Sequence, residues 1–240
     1  MKIGIMQPYF FPYLGYWQLM KAVDKYVVYD DVNYIKSGWI NRNAVLVKGK
    51  RHNINVILIA ASPNKLINQI CVNTDERVQK KLFKTISEYY SKAPFYAQVK
   101  PILEKIIFSQ EPNLARYLFE SIKAVAAYLQ IHTELMLSSQ IAKDNSLKGY
   151  KKVIEISKVL GGTEYLNSFG GFDLYEPHRA EFLANGIVLR YLKMKEIVYP
   201  QFNNEFVPNL SIIDVMMFNS PEEIKKMLGD YTVINSEGQA

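Results

Sequence analysis

Short, mostly apolar runs alternate along this chain with longer segments whose apolar residues recur at helical spacing. Residues 2–7 and 26–29 are runs of the first kind and predict buried strands. Between them, residues 14–23 carry the helical spacing, and Pro8 and Pro12 keep the intervening turn out of the helix. Strand, turn, helix, strand predicts a right-handed parallel crossover. Residues 43–47 and 53–59 predict two strands of a hairpin that turns at Lys48-Gly49-Lys50. Helical spacing then dominates: residues 76–90 behind a Thr74 or Asp75 cap, residues 95–108 with a break at Pro101, and a third helix opened by Pro112 and running to 130.

The strand–helix rhythm resumes with a strand at 134–138, a helix at 147–160 stopped by Gly161-Gly162, and a strand at 164–167. Pro177 opens a helix that Gly186 ends, and a strand follows at 187–191. Ser211 caps a helix at 212–218, and Ser220-Pro221-Glu222-Glu223 opens the last one. The pattern predicts one α/β domain over residues 1–230, built on an open, mostly parallel sheet. A helical insertion occupies about 75–130, the hairpin is appended, and 231–240 form a flexible tail. In such sheets ligands bind beyond the carboxyl ends of the strands. Three polar clusters follow predicted strands: Gln7 to Tyr16, Asp30 to Asn43, and Asn167 to Asp173.

Composition changes this picture little. Apolar residues at 49% and charged residues at 22% are ordinary for a globular protein. The net charge of +6 suits an anionic small ligand, a nucleotide or nucleic acid, and equally a generic basic protein; no DNA-binding motif or polybasic arm is present. The single cysteine, Cys71, excludes an intrachain disulfide and any cysteine-rich zinc cluster. Its alternating surroundings predict a small buried residue. His52, His132 and His178 stand in no metal-ligand spacing, so no metal site is predicted. The apolar start is interrupted by Gln7, Pro8 and Pro12 and does not read as a signal peptide. The longest later apolar run, 56–61, is far too short to span a membrane, so a cytoplasmic protein is expected.

The polar clusters suggest a ligand. Tyr13-x-Gly15-Tyr16 sits where strand one meets helix one, the place at which class I synthetases and nucleotidylyltransferases carry a His-x-Gly-His motif. The resemblance implies that nucleotide-binding fold type, with tyrosine at both histidine positions. Gly15 and the helix start then offer backbone N–H groups to an anion; otherwise this is an aromatic-packed turn. Asp30 and Asp31 are neighbours on a strand and point to opposite faces. One is expected to face the crevice and bind a ribose, sugar hydroxyl or ammonium, the other to cap a turn. Asn33, Tyr34, Lys36, Trp39, Asn41 and Arg42 form a dense polar and aromatic set. Lys36 and Arg42 suit phosphate, and Trp39 or Tyr34 a base or sugar face, unless the set is simply a solvated hairpin. Ser168-Phe169-Gly170-Gly171 is either a backbone cradle for phosphate or a plain turn.

Together these segments resemble one family. Met6-Gln7-Pro8-Tyr9-Phe10-Phe11-Pro12-Tyr13-Leu14-Gly15-Tyr16, Tyr29-Asp30-Asp31-Val32-Asn33-Tyr34, Trp39-Ile40-Asn41-Arg42-Asn43, Tyr199-Pro200-Gln201 and 206–214, with Asn209 and Asp214, are similar to WbqC-like proteins, which are associated with bacterial O-antigen and surface-polysaccharide gene clusters. The family often has a histidine before Tyr199, where this chain has Glu196-Ile197-Val198. The resemblance implies work on nucleotide-linked sugars. One expectation is an N-acyl- or aminoacyltransferase, or an ATP-dependent amide ligase, that places a group such as glycyl on the amine of a TDP- or UDP-linked amino sugar. ATP, an acyl donor or charged tRNA are open as donors. Catalytic roles then fall to Asp30, Asp31 and Tyr13. Binding roles fall to Gln7, Tyr9, Tyr16, Asn33, Tyr34, Lys36, Trp39, Asn41, Arg42, Ser168, Gly170, Gln201 and Asn209. The other expectation is a catalytically silent nucleotide- or sugar-binding scaffold in polysaccharide assembly.

Overall fold

A computed structural model describes residues 1–203 and 205–235. β1 (Lys2–Met6), α1 (Leu14–Lys21) and β2 (Lys25–Val28) form the expected parallel unit, with Ile3 opposite Lys25 and Met6 opposite Val28. β7 (Glu134–Leu137) adds in parallel outside β2. The chain then returns through α5 (Gly149–Val159) to the far side of β1, where β8 (Glu164–Ser168) and β9 (Val188–Met194) lie parallel in turn. β10 (Tyr231–Asn235) closes that edge antiparallel to β9. The six-stranded order is β10-β9-β8-β1-β2-β7, so the direction of winding reverses between β1 and β8. A reversal of this kind opens a crevice at the carboxyl ends of the strands.

Two apolar layers cover the sheet. On one face Ile3, Ile5 and Val27 pack with Val153 and Ile156 of α5 and with Phe182 of α7 (Arg179–Ala184). The larger layer holds α1, the helices α2 (Glu76–Tyr90), α3 (Tyr96–Ile107) and α4 (Leu114–Tyr128), and the late α8 (Ile212–Phe218). The helical middle of the chain is therefore packed onto one face. Asp75 and Asn113 cap α2 and α4, each accepting a bond from a backbone N–H of the first turn. Pro112 lies just ahead of its helix, and Pro101 is accommodated inside α3.

The structure corrects several expectations. The hairpin pairs β3 (Arg42–Val47) with β4 (Lys50–Asn55) across a two-residue turn, Lys48-Gly49, with both residues at positive φ. The second expected strand splits: β5 (Leu58–Ile59) leaves the hairpin and pairs with β6 (Cys71–Val72). In β6 the inward phase belongs to Ile70 and Val72, which leaves Cys71 exposed rather than buried. The helix expected from Pro177 is preceded by the short α6 (Phe172–Tyr175) and begins only at Arg179. Residues 231–235 of the expected tail are the edge strand β10; 236–240 lie outside the described residues. No helix among the described residues is long and apolar enough to cross a membrane.

Candidate functional site

The turn after β1 is pinned from two distant segments. Asn43 Nδ2 donates to the carbonyls of Phe10 (3.1 Å) and Phe11 (2.8 Å), and Ser211 Oγ donates to Phe11 (2.8 Å). The Trp17 indole donates to the Pro12 carbonyl at 3.0 Å. These bonds are buried, so they hold a turn in which Phe11 sits at φ +42, a conformation with intrinsic cost for a non-glycine residue. Three of the motif-bearing segments thus meet, and between them opens a cavity of about 290 Å³ lined by Tyr9, Pro12, Tyr13, Trp39, Asn43, Arg51 and Asn209. Trp39 is 43% exposed and carries guanidinium groups near its ring, Arg42 at 5.5 Å and Arg51 at 5.4 Å. Arg51 Nη1 also donates to the Asn209 carbonyl at 3.0 Å. Burial pushes the Tyr13 hydroxyl above its ordinary pKa; burial and then the neighbouring Tyr13 and Tyr175 push Tyr9 up to about 12. Both hydroxyls are neutral near pH 7 and serve as hydrogen-bonding groups, not bases.

Gly15 has a specific reason here. A Cβ at this position would stand 2.6 Å from the Tyr13 ring, which lies over the first turn of α1. Gly15→Ala therefore drives the ring away from the helix and reshapes the cavity. A double-mutant cycle in urea reads the effect: alanine at 15 should cost about 1–2 kcal/mol with Tyr13 present. In a Tyr13→Ala background it should stabilise by up to about 1 kcal/mol through helix propensity.

A second cavity, of about 470 Å³, lies at the carboxyl ends of β2 and β7, with Tyr29, Asp31, Asn33, Ser139, Lys148 and Lys152 among its lining residues. Asp31 Oδ2 accepts from Lys143 Nζ and Lys152 Nζ, both at 2.9 Å. Burial alone would raise the Asp31 carboxyl, but the bonds from Lys143 and Lys152, the nearby Ser138 hydroxyl and the Lys152 charge outweigh it and hold the pKa below the ordinary value. Asp31 is thus a carboxylate at neutral pH.

The structure brings Tyr9, Tyr13, Trp39 and Asn209 together at the first cavity and Asp31 and Asn33 at the second. Arg42 reaches the first only through its contact with Trp39, and also donates to the Ser37 carbonyl. Other expected site residues are held elsewhere. Asp30 is 1% exposed, and its carboxylate accepts from Ser139 N (2.9 Å), Ser139 Oγ (2.6 Å) and Asn68 Nδ2 (3.4 Å). It fastens loops together instead of facing a ligand. Tyr16 is buried among Tyr9, Trp17 and Tyr26 and is part of the core, not the site wall. Tyr34 is buried and donates to Asn41, whose amide donates to the Val56 carbonyl; this pair clamps the entry to the hairpin. Lys36 is exposed in the loop before Trp39. Gln7 is half-buried just past β1 and borders neither cavity. Ser168 and Gly170 border neither cavity, and Phe169–Gly171 is a tight helical turn, not an open cradle.

Gln201 is buried. Its amide donates to Asp214 Oδ2 (2.7 Å) and the Val207 carbonyl, while its oxygen accepts from the Val207 N–H. Tyr90 and Tyr199 donate to the same Asp214 carboxylate. This motif is a structural knot joining α2, α8 and the 199–207 segment. Among the described residues no three His, Cys, Asp or Glu side chains group as a metal site.

Sequence reading missed Arg51, Lys143, Lys148 and Lys152. One signal was readable: Lys152 falls beside Val153 and Ile156 on the buried face of α5, where an unpaired lysine is out of place. Its acidic partner, Asp31, lies 121 positions away.

The WbqC-like protein family model matches residues 7–226. An uncharacterized protein of Mycobacterium tuberculosis is 27% identical over 136 residues, which cover 56% of this chain and 58% of that relative's length. No solved structure matches significantly. The match over residues 7–226 takes in both cavities and the segments that build them, and the chain belongs to the WbqC-like protein family.

Proposed function

We propose that the protein is an enzyme of bacterial surface-polysaccharide biosynthesis that transfers an acyl or aminoacyl group, such as glycyl, to the amine of a nucleotide-linked amino sugar. The carrying observation is the pair of cavities at the loop end of a sheet whose winding reverses between β1 and β8. A nucleotide-linked sugar has two parts with matching demands. Its base stacks on the Tyr9, Tyr13 and Trp39 wall, and its sugar occupies the carboxyl-edge crevice. Among the described residues Asp31 is the one acid lining that crevice, and it orients the amine. In the transfer, the amine nitrogen forms a bond to the acyl carbonyl carbon, the bond from that carbon to its carrier breaks with its electron pair, and the amine gives up a proton. ATP-derived adenylate, coenzyme A and tRNA are the carrier classes to test.

A binding protein without chemistry is the second reading. It is favoured by the first turn of α1, where Tyr16 is in the core and burial keeps the Tyr13 hydroxyl protonated, so that neither tyrosine supplies a base near pH 7. One experiment separates the two. TDP- and UDP-linked sugars, with and without an amino group, are first screened by thermal shift; a ligand at 100 times its Kd stabilises by about 2.7 kcal/mol. Those that bind are incubated with glycine plus ATP, an acyl-CoA or glycyl-tRNA and examined by mass spectrometry. We expect acylated product from the amino sugars alone. Binding without product with every donor selects the scaffold, and no shift with any sugar nucleotide rejects both.

A further inference from the structure

The carboxyl-edge crevice contains more positive charge than its protein partners neutralise. Lys143, Lys152 and Asp31 have side chains only 1%, 7% and 9% exposed, so two ammonium groups and one carboxylate are withdrawn from water together. Such a set is stable when charge is matched and costly when it is not. Lys143 pairs with Asp31 without lining the cavity and also donates to the carbonyl of Ser138. It suffices to neutralise the carboxylate. Lys152 lines the cavity and is the ammonium left over. Its other contacts, the Asp31 carbonyl at 3.0 Å and the Tyr29 ring at 5.4 Å, orient it but supply no full negative charge.

The surroundings are those of an anion site. Lys152 belongs to the first turn of α5, an eleven-residue helix that no side chain caps, and Lys148 and Gly149 at its start line the same cavity. Gly149 sits at φ +54, and a Cβ there would meet nothing within 4 Å, so its backbone faces open space. The Tyr29 ring borders the same cavity beneath the Lys152 ammonium, while its hydroxyl is buried away from solvent.

We infer that the crevice binds a phosphate oxyanion, held by the Lys152 ammonium, by Lys148 and by the backbone at the start of α5. This deepens the proposed function by naming what anchors the sugar nucleotide: its diphosphate. The assignment places the sugar nucleotide on residues 31 and 148–152, away from Lys36 and Arg42, with the Asp31 carboxylate competing with the ligand for the lysine that meets it.

The test is calorimetric titration of the whole chain with inorganic pyrophosphate and, in parallel, malonate. We expect saturable pyrophosphate binding that weakens with salt, and little with malonate. Lys152→Met, which keeps the Asp31–Lys143 pair, should lower pyrophosphate affinity about tenfold or more. Asp31→Asn should raise it, a sign that a merely structural role for the triad does not produce. Should Lys152→Met fail to fold, Lys148→Ala at the exposed start of α5 takes its place, with a loss of about threefold or more. Absence of saturable pyrophosphate binding, equal binding of malonate, or unchanged affinity in the lysine variants overturns the inference. Acylation of amino sugars without pyrophosphate binding would reject this site alone. Pyrophosphate binding without acylation would reject the proposed chemistry and leave the site standing.

Discussion

Asp214→Ala should destabilise the protein by about 3–4 kcal/mol, a large share of the roughly 5–15 kcal/mol that holds an ordinary domain folded. The carboxylate is fully buried and accepts from Tyr90 at 2.6 Å, Tyr199 at 2.8 Å and Gln201 at 2.7 Å. Alanine removes all three acceptor contacts and leaves buried donors behind, the costly half of any hydrogen-bond deletion. The damage extends beyond one helix, because Tyr90 also accepts from the Leu46 N–H of β3 and Gln201 also ties down Val207. Burial raises the Asp214 pKa, and the bonds from Tyr90, Tyr199 and Gln201 offset only part of that rise. A group raised on folding contributes stability that is present below its unfolded pKa and lost as pH rises through its folded one. Wild type should therefore lose ground to Asp214→Asn from about pH 4 upward, until the buried carboxyl has ionised. Urea unfolding of both proteins across pH 4–7 checks this, and a constant difference between them would refute it.

That knot also shows where sequence reading stops. Tyr199, Gln201 and Asp214 stand out in the chain as a polar, aromatic group, and such groups suggest ligands. Nothing local says that Tyr90, 124 residues away, will meet Asp214 and turn the group inward. Local features were legible. The β1–α1–β2 unit follows from adjacent apolar periodicity and two prolines, and the hairpin turn from Lys48-Gly49. β10 was not: Tyr231-Thr232-Val233-Ile234 is rich in strand-favouring residues, but so close to the chain end the partner that makes it a strand, β9, is not visible locally. The first cavity was half legible: Tyr9, Tyr13, Trp39 and Asn209 come from motifs that stand out, but Arg51 on β4 looks like any surface cation. The second cavity was legible only through Asp31 and Asn33. Its lysines arrive because β7 pairs with β2, Val28 opposite Leu137, which sets the loop after β7 beside Asp31.

The same pairing gives adjacent acids opposite fates and a second large expected effect. Asp30→Ala should cost about 2–3 kcal/mol, since a 1% exposed carboxylate loses two strong charge-assisted bonds to Ser139 and a weaker one to Asn68. Asp30→Asn keeps an acceptor for one of the Ser139 donors and should recover roughly half of that loss. Ser139 and Asn68 both line the carboxyl-edge crevice, so releasing them loosens its wall. Asp30→Ala should therefore weaken ligand binding through position alone, and the asparagine variant should restore binding in proportion to stability. A residue that touched the substrate would behave differently: Asp30→Asn would fold well and still fail to bind or react. Urea midpoints plotted against sugar-nucleotide affinity for the three proteins separate the cases. A common trend makes Asp30 a positioning residue, whereas a stable but inactive asparagine variant would return it to the site and require the crevice to open around it.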